Sequence, residues 1–222
     1  MKVTKTVKYN YNLTEETLEK DIDKFINESR KGYFSRDSKH SSIGLRTIRQ
    51  YFRILQEKFE NNKLEECMYC YHKLILFLFD SSIGNDKTNF GYDDLLAKIS
   101  NNFDKFIKNY FICLLKNCNI KELSEKIAEY ASKLQEYEFE SDKNILLKNL
   151  NEEQLKELEQ RLLSKISGMT KKDEDKHDIL YFLVELAGKQ KDKNKCMQLI
   201  NKFEGILDSE EIEYLRDEYE KH

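Results

Sequence analysis

Apolar residues return at three- and four-residue intervals along almost the whole chain, the period of helices that bury one face. Leu18, Ile22, Phe25 and Ile26 mark a first helix to about Ser29, with Thr14 placed as its N-cap ahead of Glu15 and Glu16. Leu45, Ile48, Phe52, Leu55 and Phe59 mark a second, capped by Ser41 or Ser42. From Leu64 to Phe79 the pattern becomes apolar on most sides, which predicts the most buried element. A loop rich in Ser, Gly, Asn and Asp follows over Asp80–Gly91, then one long helix from Leu95 through Leu114. Leu123–Leu134 reads as a fifth helix and Ile145–Leu147 as a short sixth. Asn151 and Gln154 form a capping box for a seventh with Leu155, Leu158, Leu162 and Ile166 inward. Two helices pair around Gly188, and a last one carries Ile212, Leu215 and Tyr219.

Proline is absent from all 222 residues, so no position forces a helix to break. Corners fall instead at Gly32, Gly84, Gly91, Gly168, Gly188 and Gly205. The predicted fold is all-α: about nine or ten helices in stacked antiparallel hairpins, a right-handed α-solenoid of tetratricopeptide-like type. The hairpin around Gly188 has tetratricopeptide spacing, but no strict 34-residue period recurs and the usual closing proline is missing. Residues 1–12 alternate at Val7, Tyr9 and Tyr11 and read as an N-terminal arm, since a strand there has no partner. Residues 13–168 form the helical array, and 169–222 a C-terminal hairpin with a capping helix continuous with it.

Composition narrows the class. With 13 Tyr, 13 Phe and no Trp, aromatic rings of two kinds carry the bulky packing, and this content argues against disorder despite abundant charge. The net charge of -3 makes the chain as a whole neither a polyanion binder nor an acidic tail, so any electrostatic preference is local. The N-terminal residues lack an apolar core segment, and the longest apolar run, Leu74–Phe79, is far short of a membrane span. A cytoplasmic protein without membrane partners is expected, its five cysteines free and buried rather than paired.

Several phrases carry a family likeness. Asn62-Lys63-Leu64-Glu65-Glu66-Cys67, the turn Asp80-Ser81-Ser82-Ile83-Gly84, the following Asp93-Asp94-Leu95-Leu96 and the earlier Gly32-Tyr33-Phe34 resemble the helical region that accompanies SWIM zinc-finger proteins. The likeness spans roughly residues 13–166. It implies an α-solenoid and transfers no catalytic residue. Cys70-Tyr71-His72 matches the Cys-x-His half of that finger, but no cysteine precedes Cys67 to supply the Cys-x-Cys half. The finger is therefore absent, and neither zinc nor nucleic-acid binding through it follows.

Chemistry-bearing residues are sparse. Cys67 and Cys70 share a helical face, yet His72 is turned away from it, so one ion does not easily meet all three; packing cysteines are the expectation, with no metal or cofactor. The histidines show no recognised metal or catalytic spacing, and no nucleophile elbow or phosphate loop occurs. Glu65-Glu66, Asp93-Asp94 and Glu152-Glu153 fall at helix starts, where carboxylates complement exposed amides.

One local feature stands out. Residues 30–53 hold Arg30, Lys31, Arg36, Lys39, Arg46, Arg49 and Arg53 against the single acid Asp37, a net +6. Arg46, Arg49 and Arg53 recur at i, i+3 and i+7, one stripe of the second helix, with Tyr33, Phe34 and Tyr51 nearby. Either these cations pair with acids on neighbouring helices, or they form a docking face for an acidic protein surface, or they contact RNA or DNA phosphates. The expected function is a non-enzymatic scaffold for protein–protein interaction through this face. The alternative is a nucleic-acid-associated regulator using the same arginines.

Overall fold

The computed structural model describes residues 15–82, 90, 94–134, 137–167, 175–203 and 209–220. Every regular element among them is a helix, and there are eleven: α1 (Leu18–Arg30), α2 (Ser41–Glu60), α3 (Leu64–Ser82), α4 (Leu95–Ile99), α5 (Asp104–Asn117), α6 (Ile120–Ala131), α7 (Glu140–Asn149), α8 (Glu152–Ser167), α9 (Asp175–Lys189), α10 (Lys193–Lys202) and α11 (Ser209–Glu220). The fold is all-α. The arm over 1–12, the Thr14 cap, most of the Asp80–Gly91 loop, and Gly84, Gly91, Gly168 and Gly205 lie outside the described residues.

Helix faces follow the apolar period, and the boundaries move where polar side chains compete for the backbone. Helix α1 begins at Leu18, capped by Thr17, whose hydroxyl accepts the Lys20 N–H at 3.3 Å; Glu15 and Glu16 precede the helix instead of opening it. Helix α2 starts after His40 with no side-chain cap, so neither Ser41 nor Ser42 plays that role. The single helix expected from Leu95 to Leu114 is two. Ser100 is extended, its hydroxyl accepts the Asn102 N–H at 3.2 Å, and the Asn102 side chain accepts the Lys105 N–H at 3.3 Å. These short polar side chains satisfy the amides that a continuous helix would have bonded internally. Asn151 and Gln154 form the expected capping box, and Asn119 and Glu122 form a second that opens α6.

Three helices end in the same way. After α1, α2 and α9 a residue turns left-handed, Gly32 (φ 82°), Asn62 (φ 60°) and Lys191 (φ 59°), and its own amide and the one after it fold back on the last turn. Only the first is glycine. Gly188 sits inside α9, so the corner expected there falls three residues later, at Lys191.

Packing links helices one apart as much as neighbours. Helices α1, α3, α5, α7 and α9 make a continuous row of contacts, and α6 packs on α8, α3 and α9. Helix α3 is buried on most sides through Cys67, Met68, Cys70, Tyr71, Leu74, Ile75, Phe77, Leu78 and Phe79, as its apolar run predicts. Rings fill the interior: Phe52 contacts Phe103 and Phe106, and Tyr130 contacts Phe79, Phe111 and Phe182. All five cysteines are free, four buried and Cys118 half-buried. No helix among the described residues is long and apolar enough to cross a membrane.

Candidate functional site

The basic segment occupies the end of the molecule built by α1, α2 and the connection between them. Two local devices hold the connection. The left-handed turn at Gly32 lets the Gly32 and Tyr33 amides donate to the Ser29 and Glu28 carbonyls at 2.8 and 3.1 Å. Ser35 and Ser38 then tie it down by donating their hydroxyls to the Gly32 and Tyr33 carbonyls. Phe34 anchors the segment inward, its ring 4.8 Å from that of Phe25. Gly44 makes the fit possible, because a Cβ there would lie 2.7 Å from the Phe90 ring and 2.9 Å from Phe34 Cβ. The periodicity of α2 gave no hint of that close approach.

With Phe34 turned in, its neighbours are turned out. Tyr33 is 48% exposed and stacks on His40 at 4.4 Å, and Ile43 is 44% exposed. All seven cations of the segment are exposed. Among the described residues Arg46 donates to Ser42 of its own helix. Arg49 donates through Nε and Nη2 to the Lys98 carbonyl at the end of α4. A carbonyl orients a guanidinium without cancelling its charge. Among the described residues no ion pair engages Arg30, Lys31, Arg36, Lys39, Arg46 or Arg49. Tyr51, by contrast, is core, its hydroxyl donating to buried Asp21 at 2.9 Å.

The Cys67-x-x-Cys70-x-His72 set is taken apart by the fold. The two thiols are buried, and burial pushes Cys67 up to about 11 and Cys70 up to about 12, away from the thiolate that chemistry requires. His72 faces α5 and α6. Its Nε2 lies 2.8 Å from the Glu129 carboxylate, which can only accept, so Nε2 carries the proton and Nδ1 accepts from the Tyr110 hydroxyl at 2.6 Å. Burial, helped by the Lys126 charge, lowers the His72 pKa, which favours this neutral ring. No group of three metal-ligating side chains occurs among the described residues.

A second buried polar site gave no signal in the sequence. Lys143, only 2% exposed, lies between Asp142 at 3.2 Å and Glu185 at 2.5 Å, with its ammonium 4.9 Å from the centre of the Phe182 ring. Tyr130 donates to Asp142 at 3.0 Å. Burial outweighs the pull of Lys143 and raises the Asp142 pKa to about 6. A cleft of about 500 Å³ bordered by Phe139, Tyr181, Gly188 and Tyr214 opens beside this cluster. The cluster joins α6, α7 and α9, and its charges are spent on one another.

The exposed basic end and the two internally satisfied polar clusters are thus the chemically distinctive parts of the molecule. Comparison with protein-family models, curated proteins and solved structures finds no match to this chain.

Proposed function

We propose that this protein is a non-enzymatic cytoplasmic scaffold, a tetratricopeptide-like stack of helical hairpins akin to the region accompanying SWIM zinc-finger proteins, whose α1–α2 end docks an acidic protein surface. The observation that carries the reading is the set of exposed cations of residues 30–53. Six of them have no ion pair among the described residues, and exposed Tyr33 and Ile43 stand among them. Unneutralised arginines cost self-repulsion in the free protein and are recovered as steering and contact energy when a carboxylate surface arrives. The aromatic and aliphatic side chains supply apolar contact area between the charges.

The test uses two labelled anionic probes, poly-glutamate and a single-stranded oligonucleotide, titrated with the full chain and with Arg46→Glu/Arg49→Glu. Poly-glutamate is expected to bind the wild type and to lose at least about tenfold in affinity to the variant. Preference for the oligonucleotide, with affinity falling steeply as salt rises, would replace this reading with the nucleic-acid one. Equal binding of both probes by wild type and variant would sink both.

A further inference from the structure

Charge is segregated between the two ends of this chain. Residues 30–53 carry a net +6, whereas α11 carries six carboxylates against Arg216, a net -5, in a chain whose total is -3. The two stripes share a spacing. Arg46, Arg49 and Arg53 lie at i, i+3 and i+7 on α2, and Glu210, Glu213 and Asp217 lie at i, i+3 and i+7 on α11, all six exposed. Four large hydrophobic side chains are exposed among the described residues, and three belong to these two surfaces: Tyr33 and Ile43 at the basic end, Tyr214 at 57% on α11. Among the described residues helix α11 packs on α10, and no extensive contact joins it to α1 or α2.

We infer that the occupant of the α1–α2 face is a second copy of this chain, which lays α11 along the arginine stripe. This rests on the reading of that face as a docking surface and names its partner. The contact joins two different surfaces, so it is head-to-tail and propagates into short chains unless the geometry closes a ring.

The full chain is measured by gel filtration with light scattering over a concentration series, at low ionic strength and again at about 0.5 M salt. The expected result is a mass that grows with concentration beyond the 26.6 kDa monomer at low salt and returns to it at high salt. Arg46→Glu/Arg49→Glu and Glu210→Lys/Glu213→Lys should each remain monomeric. Mixed in equal amounts they should associate again, because the intact α11 of one meets the intact arginine stripe of the other and the reversed charges also complement each other. A wild type that stays monomeric throughout, a mixture that stays monomeric, or association that survives in either variant overturns the proposal. Poly-glutamate separates this failure from that of the docking face: bound by a wild type that never self-associates, it removes only the second copy as occupant, and unbound it removes the face. Thermal melts of both variants confirm that they fold.

Discussion

The two buried polar clusters solve one problem in opposite ways. At α3, α5 and α6, His72 is kept neutral and its two ring nitrogens are matched by one donor and one acceptor. At α6, α7 and α9, Lys143 and Asp142 stay in a site that is almost closed to water, with Glu185 and Tyr130 completing the pairing. Neutral pairing demands little of the surroundings. Ionic pairing demands that every partner be present, because a lone buried charge has nothing to replace water. The difference teaches where this fold is brittle: at the junction of α7 with α9, not at the histidine a search for chemistry meets first.

The largest expected effect tests that brittleness. Lys143→Met leaves Asp142 and Glu185 facing each other and should cost about 3–5 kcal/mol in urea unfolding, whereas adding Asp142→Leu should recover much of it. A single variant no less stable than wild type would show that the cluster is dispensable.

Next come opposite pH slopes. The folded-state pKa of Asp142 is raised from 3.8 to about 6, so its contribution is fully present below the unfolded value and is lost as pH rises through about 6. The His72 pKa is lowered, so its contribution is present above the unfolded value of 6.5 and is lost as pH falls through the folded one. Asp142→Asn should therefore flatten a stability loss on raising the pH between about 4 and 6, and His72→Gln should flatten a loss on lowering it. Denaturation midpoints across pH 4–8 read both, and slopes of the same sign would break the contrast.

Smaller effects sharpen it. Tyr110→Phe removes the donor to His72 Nδ1 and leaves a buried acceptor, at about 1–2 kcal/mol. Glu129→Gln should change stability by no more than about 0.5 kcal/mol, because the Glu129 side chain is 59% exposed and water can replace it. A large loss at Glu129 would mean that the histidine cluster is ionic after all.

Much of the fold was legible because helical burial is written locally. The stripes of α2, α3 and α9, the Asn151–Gln154 capping box and the acidic first turns of α3 and α8 follow from spacing and cap chemistry within a few residues. Break points were less legible. Ser100 and Asn102 divide one apolar stripe into α4 and α5, and Lys191 takes a left-handed turn that glycine would be expected to take, because the helices it joins specify where the corner falls. The basic segment of the candidate site was legible as composition. That Phe34 turns inward while Tyr33 turns outward was not, since it depends on Phe25 and on the gap at Gly44.

The sequence by itself determined that this protein is all-helical, which faces of its helices are buried, and that positive charge gathers over residues 30–53. Those are properties of neighbours along the chain, governed by period, propensity and local charge. Only the tertiary structure decided that six of those cations find no carboxylate among the described residues, that His72 meets Tyr110 and Glu129 instead of the two cysteines beside it in sequence, and that Lys143 is buried. Each of these depends on contacts between helices far apart in the chain, and a side chain's solvation and charge state are set by what surrounds it in space.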